Sequence, residues 1–342
     1  MNDMSDPSGF RAQLRDNSLA ALWEVIGTQV SREPRPTCQA AFWRYADVRP
    51  LLIRAGEEVS TAEAERRVLL MRNPGLDRPA ITHTLASGYQ LIKGGEVEGA
   101  HRHTQAALRL MIEGDGTYTT VEGERIWMHP GDMVTTPAWT WHDHGKQTDG
   151  PAIWLDGLDV PLVNYLQVPF LEELDHRPQP VTREEDGVSR YASGLLPLAG
   201  IPAGGHAPVF SYPYDRTRSA LARMARLGEW DRHFGLKLKY ANPLTGGHVM
   251  PTIAAFMQLL PAGFRTAPYR STDAAVCSVI EGSGTVRIGD IVHRWGPNDL
   301  FVLPNWTAYT LEAEGESVLF SFSDRATQEA LGLWREQRIG ES

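Results

Sequence analysis

The spacing of apolar positions changes character about a quarter of the way along the chain. Before that point Leu19, Leu22, Val25 and Ile26 recur at helical spacing. A second run after Ser60 opens with the capping-box pair Ser60 and Glu63, and Asn73-Pro74-Gly75 is expected to end it. From about Thr82 the pattern becomes short runs rich in Val, Ile, Thr and Tyr, cut by Gly, Asp and Pro, as in an antiparallel barrel or sandwich. This block ends near Phe170. A connector rich in Pro and Gly follows, with one helical patch (SALARMARLGEW), and a second β block starts around Gly247. The run from Ser323 reads as a closing helix. The expected organisation is mainly β: helical segment 1–75, first barrel 76–170, connector with a helix 171–246, second barrel 247–322 and C-terminal helix 323–342.

The two β blocks repeat each other. Each contains an IEG-x-G turn, then a PGD or PND turn, then a P-x-W-T element, in the same order and at nearly constant offsets. Two copies of one barrel in a single chain explain three ordered landmarks better than the general need of barrels for turns.

Composition narrows the function classes. Lys and Arg total 33 against 42 Asp and Glu, a net charge of −9, so no nucleic-acid partner is expected. Only Cys38 and Cys277 are present, too few for a disulfide framework or a thiolate metal site, which fits a reducing cytoplasm. The N-terminal stretch lacks the pattern of a secretory signal. No run approaches the roughly 18 apolar residues of a membrane span. The expected protein is soluble and cytoplasmic, without a membrane partner.

Histidines carry the candidate chemistry. His101 and His103 flank Arg102 in a β-type run, so both imidazoles face one way and Arg102 the other. The spacing G-x5-H-x-H at Gly95, His101 and His103, followed by G-x5-P-x-W-x2-H at Gly131, Pro137, Trp139 and His142, resembles the paired motifs of the cupin barrel. In that fold three such histidines converge on a metal. Cupins commonly add a carboxylate just beyond H-x-H, but here the chain reads Thr104 to Leu108 without one. Three neutral imidazoles leave a divalent ion its full charge and about half an octahedron open. Such a site suits a salicylate-type molecule that brings a carboxylate and a phenolate.

Other residues extend the site. If the strand persists, Gln105, Ala107 and Arg109 continue the histidine face, and Arg109 meets either a substrate carboxylate or an internal one such as Asp156. His144 shares the parity of His142 and is placed to bond a ring substituent or move a proton. Asp156 is placed to orient a ligand imidazole or Arg109. Ala86, Gly88 and Gln90 share one strand face and are candidates for the pocket wall. Whether Arg66 or Arg67 reaches the pocket is open at this level. In the second repeat Tyr269, Ser271 and Tyr309 stand opposite the three histidines, so one metal per chain is expected.

Over nearly its whole length the sequence resembles the gentisate 1,2-dioxygenase family of ring-cleaving bicupins, which includes salicylate and 1-hydroxy-2-naphthoate 1,2-dioxygenases. The resemblance rests on AHRHTQAALR, HPGDMVTTPAWTWHDHG and LDGLD, and on longer segments such as LWEVIGTQVSREPRP and NPLTGGHVMPTI. It implies two double-stranded β-helix (jelly-roll) barrels. It also implies Fe(II) on His101, His103 and His142, with Arg109, Gln90, His144 and Asp156 at the substrate, a metal-free second barrel and a homotetramer. The implied reaction inserts O2 between the carboxyl-bearing and hydroxyl-bearing carbons of gentisate or a substituted salicylate, 5-nitrosalicylate included. Where relatives usually carry an aromatic residue in TLW or TLY, this chain has Ala86, which opens space for a bulkier or differently substituted ring. The alternatives are a 1-hydroxy-2-naphthoate dioxygenase, a non-oxidative metal-dependent cupin, and an aromatic-acid-binding protein.

Overall fold

The computed structural model describes residues 9–175, 177–199 and 206–340. Residues up to Arg35 form one unit and those from Pro36 onward another. The first unit holds two short helices, Phe10–Asp16 and Leu22–Gln29, so Leu19 lies in the turn between them. The glycine-rich connector stretch 200–205 is outside the described residues.

The second unit is built from two barrels of mostly antiparallel strands. The first barrel closes one sheet (Ser211–Tyr212, Met133–Thr136, Ala107–Glu113, Pro151–Leu158, Ala86–Lys93, Arg67–Leu70, in spatial order) over another. That second sheet runs Leu171–Glu173, Val97–His103, His142–Lys146, Thr117–Val121, Glu124–Met128, Arg183–Glu184. The second barrel repeats the plan with sheets of six and five strands.

Equivalent positions of the two barrels share backbone geometry as well as sequence. Gly131 and Asn298, at the PGD and PND turns, both take left-handed φ (90° and 66°), and so do Trp139 and Trp306 (62° and 54°). In each barrel the turn's aspartate accepts from a backbone N–H three residues earlier, Asp132 from His129 and Asp299 from Gly296. The tryptophan N–H then bonds the carbonyl of the matching strand, Trp139 to His103 and Trp306 to Ser271. The repeat is therefore one set of hydrogen-bonded turns used twice.

The sheet of the first barrel that carries Ala107–Glu113 is buried on both faces, which decides where its side chains point. Tyr89, Leu91, Leu108, Leu110, Ile153 and Leu155 pack with Met257, Leu259, Val302, Phe320 and Phe322 of the second barrel in one shared core. The alternate positions Ile92, Met111 and Trp154 form a separate cluster inside the first barrel. Gln90, Arg109 and Asp156 share that inward parity. Polar links stitch the barrels at the same seam. The Tyr89 hydroxyl donates to the Asn298 carbonyl (2.8 Å), and Asp159 accepts from the Thr252 hydroxyl and the Ala106 N–H. Burial pushes the Asp159 carboxyl up to about 6.

Several boundaries differ from the sequence expectation. The run after Ser60 makes a single turn, Thr61–Ala64, although Glu63 N–H does bond the Ser60 hydroxyl (3.2 Å). The longer helix is Tyr45–Glu58, whose interior Pro50 broke the helical signal. Arg67–Leu70, expected as helix, joins the first barrel as an edge strand beside Ala86–Lys93. Leu236–Lys239, in the expected connector, joins the second barrel by pairing with Ala254–Leu260. The closing helix is only Arg325–Ala330, and Glu336–Arg338 adds a strand to Tyr269–Ser271. For Arg67–Leu70, Leu236–Lys239 and Glu336–Arg338 an open strand edge recruited flanking chain, a tertiary demand that local periodicity does not carry.

Replacing Asp159 by Ala leaves the Ala106 N–H and the Thr252 hydroxyl without their partner. Loss of a buried partner costs roughly 1–3 kcal/mol, so urea unfolding should show a loss of about 2 kcal/mol. An unchanged midpoint and slope would show that this seam contributes nothing to stability.

Candidate metal centre

His101, His103 and His142 converge inside the first barrel. One ligand atom from each lies within 4.8 Å of the others, and no carboxylate joins the group among the described residues. His101 and His142 sit directly opposite each other on neighbouring antiparallel strands, their ring centroids 4.1 Å apart. His103 completes the triangle at 5.3 Å and 4.9 Å. Arg102 points away, between Trp139 and Trp141 and ion-paired to Glu172, which is the alternation a strand imposes.

Burial holds these rings neutral. It pushes His101 down to about 2 and His103 to about 4, with nearby guanidinium charge adding to the effect, and it lowers His142 well below the usual imidazole range. Backbone carbonyls anchor the Nδ1 atoms: Gln105 O lies 2.8 Å from His103 and Thr140 O 2.9 Å from His142. A ring that donates from Nδ1 keeps its lone pair on Nε2, and the buried Nε2 of His142 has no hydrogen-bond partner. These are the features of imidazoles prepared for a cation. His101 differs, because its Nδ1 lies 2.7 Å from the Arg66 Nη2. A guanidinium can only donate. Ligation through Nε2 requires the proton on Nδ1, so it requires Arg66 to leave that nitrogen for another acceptor.

A buried polar cluster lies beside the histidines. Arg109 Nη1 donates to the Thr136 hydroxyl (3.1 Å), and its Nε lies 3.4 Å from Asp156. Asp156 also accepts from the Trp154 indole, and burial raises its carboxyl to about 6 despite the Arg109 charge. Asp156 thus pairs with Arg109, one of the two partners considered for it from the sequence. Gln90 donates to Glu98 (2.8 and 3.0 Å), and Arg66 Nε reaches the same carboxylate at 3.2 Å. Burial pushes Glu98 up to about 7. His144 is held at Nδ1 by the Thr119 hydroxyl (2.8 Å) and leaves a buried Nε2 unpartnered.

The route by which Arg109 arrives corrects the sequence argument. The H-x-H strand ends at His103, and residues 104–106 turn a corner. Arg109 belongs to the facing sheet, opposite Asp156 and Val134. It enters the interior through the second strand's own parity. Of the proposed wall residues, Gly88 lies opposite Asp156 and Leu70, and a Cβ there would meet Val68 Cγ1 at 2.7 Å, so this glycine permits close strand packing. Ala86 is buried and pairs with Leu158 at the start of the strand. Arg66 reaches the histidines, whereas the buried Arg67 makes a bidentate pair with Glu96 instead. The sequence reading missed Glu98, Thr119 and Thr136. The parity of Glu98 relative to His101 is the opposite of a ligand's, and a bulge between Glu98 and His101 overrides it.

His142→Ala should retain the fold by circular dichroism but lose most of its metal after dialysis, measured by atomic emission. Metal content equal to the parent's would remove His142 from the ligand set. Thr119→Val frees His144, so a change in the imidazole NMR signal of that ring alone is the expected signature.

Comparison with known proteins places this geometry. A cupin domain model matches residues 88–159. Gentisate 1,2 dioxygenase 1 of Aquipseudomonas alcaligenes is 47% identical, covering 96% of this chain and 95% of that protein. A 5-aminosalicylate 1,2-dioxygenase of Comamonas sp. is 38% identical over 97% of this chain and 90% of its own length. The crystal structure of salicylate 1,2-dioxygenase from Pseudoaminobacter salicylatoxidans in adducts with gentisate superposes with a TM-score of 0.93 at 31% identity, covering 98% and 96% of the two chains. With this bicupin architecture, a converging histidine triad and full-length relatives at this level, the chain belongs to the gentisate 1,2-dioxygenase family of ring-cleaving dioxygenases.

Proposed function

We propose that this chain is an Fe(II)-dependent dioxygenase that cleaves gentisate or a substituted salicylate between the carboxyl-bearing and hydroxyl-bearing carbons. The observation that carries this reading is the donor set: three neutral imidazoles, two buried and one half-buried, no carboxylate in the group among the described residues, and a guanidinium alongside. His101, His103 and His142 would hold the iron. A ferrous ion bound there supplies the redox chemistry that joins both atoms of O2 to the ring.

The chain's own groups set the rest. Arg66 and Arg109 face Glu98 and Asp156, so the polar cluster is close to charge-balanced. A divalent ion on three neutral rings then calls for an anionic partner, and a substrate carboxylate with an ionised ring hydroxyl provides one. Arg109, held by Asp156 and Thr136, presents its remaining N–H donors to the carboxylate. Gln90 and Glu98 line the approach beside Arg66. His144 handles a proton at Nε2 next to the ring hydroxyl, while Thr119 fixes the ring. Dry surroundings keep water from the opened intermediate. Relatives named for gentisate, 5-aminosalicylate, 1-hydroxy-2-naphthoate and 5-nitrosalicylic acid bracket the ring size. The small Ala86 on the same strand face as Gly88 and Gln90 favours a substituted or fused ring as a second reading.

We also infer a homo-oligomer, a tetramer by family resemblance. The segment beyond the first barrel exposes Tyr165, Leu166, Phe170 and Leu171, and Leu171–Glu173 forms the outer edge of the sheet bearing His101 and His103. Two free buried thiols agree with a cytoplasmic setting. No described helix is long and apolar enough to cross a membrane.

Protein loaded anaerobically with Fe(II) and screened against gentisate, salicylate, 5-nitrosalicylate, 5-aminosalicylate and 1-hydroxy-2-naphthoate should consume O2 in step with loss of the aromatic absorbance. Turnover without O2 uptake would mean a redox-silent cupin instead. Arg109→Gln should raise KM about tenfold or more, since a buried charged partner is worth more than 1.4 kcal/mol. An unchanged KM would remove Arg109 from substrate binding.

A further inference from the structure

The barrel without the histidine triad is not filled. Its interior, at the position equivalent to the metal centre, holds a cavity of about 270 Å³ lined by Tyr269, Ser271 and Tyr309 among others. Tyr269 and Tyr309 face each other across neighbouring strands as His101 and His142 do in the first barrel. Register carries the correspondence further. Cys277 stands opposite Ser321 just as Arg109 stands opposite Asp156, so the buried ion pair of the first barrel has become a thiol and a hydroxyl.

A different cation takes over. Lys237, opposite Gln258 on the recruited strand Leu236–Lys239, extends into this cavity. Its ammonium lies over the rings of Phe234 and Phe256, at 5.4 and 5.0 Å from their centroids. No hydrogen bond or ion pair to a described residue satisfies it. The other charged groups of the lining are engaged: Arg325 with Glu329, Lys239 with the Gly246 carbonyl, and Arg338 with Asp231 and Glu336. Glu336 also accepts from the Tyr269 hydroxyl, and Asp273 from the Trp334 indole. Four cations therefore line the cavity against two carboxylates. At the same wall the Ser321 hydroxyl is 4% exposed as a residue and has no partner.

We propose that the second barrel is a metal-free binding site for a small monocarboxylic acid, with the carboxylate on Lys237 and Ser321 and a flat apolar body among Phe234, Phe256 and Tyr269. Rings attract an ammonium but neutralise none of its charge, so an entering carboxylate gains both the Coulomb term and a charge-assisted hydrogen bond. Burial already lowers the Lys237 ammonium from its ordinary value, a cost that an anion would offset. With two tyrosines and a serine where the first barrel has its histidines, the single available ammonium favours one carboxylate per ligand. The site does not depend on the reading of the first barrel.

Titration of the full-length, metal-loaded protein under nitrogen with 4-fluorobenzoate, which lacks the ortho hydroxyl needed for chelation, tests this by 19F NMR and calorimetry. A bound signal should appear that Lys237→Met weakens at least tenfold and Ser321→Ala weakens several-fold. Lys237→Arg should keep that signal, which separates loss of the charge from loss of the fold. Arg109→Met should leave it in place. Displacement by benzoate more readily than by hexanoate, a monocarboxylate with a flexible chain, supports the flat apolar body, and the reverse order overturns it. Absence of the signal in the parent, its loss only with Arg109→Met, or its retention in a folded Lys237→Met protein would overturn the proposal.

Discussion

The structure turns on keeping three imidazoles neutral inside a barrel. An imidazolium at any of these positions would sit in a dry interior near two guanidinium groups, and both desolvation and like charge oppose it. Because the rings stay neutral, their lone pairs are available for a cation. The carbonyls of Gln105 and Thr140 decide which nitrogen carries the proton. Those carbonyls are positioned by the corner after His103 and the turn around Thr140, so the ligand tautomers are a property of loop geometry.

The charged neighbours follow from that constraint. Arg109, Asp156 and Glu98 are buried and Arg66 is partly so, and a guanidinium as buried as that of Arg109 would be costly alone. Paired, they form a polar patch with little net charge that leaves the metal's charge for the substrate. The raised carboxyls of Asp156 and Glu98 show that the pairing only partly offsets burial. Arg66 is the movable part, because its contact with His101 Nδ1 and metal ligation of that ring cannot both hold in one tautomer.

Duplication explains why one barrel can be reactive and the other not. The turns that shape each barrel, down to left-handed tryptophans at matching positions, are the same. Inside, the second copy has replaced histidines with tyrosines and serine, and an arginine–aspartate pair with a cysteine and a serine. Its outer face supplies half of the shared core, so it also acts as the platform against which the sheet bearing Gln90, Arg109 and Asp156 packs.

Much of this was legible in the chain itself. Histidine spacing, the alternation around Arg102 and the repeated turn signatures are local or periodic, and those determined the bicupin plan, the converging histidine triad and the absence of that triad from the second barrel. Other features depended on which faces and edges meet. The strand Arg67–Leu70 reads locally as helix, and only an open sheet edge made it a strand. Arg109 enters the site from the opposite sheet, across a corner that the sequence does not announce. Glu98 reaches the cluster only because a bulge shifts its register, and Lys237 reaches the second cavity only because its strand was recruited. Periodicity tells which side of a strand a residue takes; which interior that side encloses is decided when the sheets close.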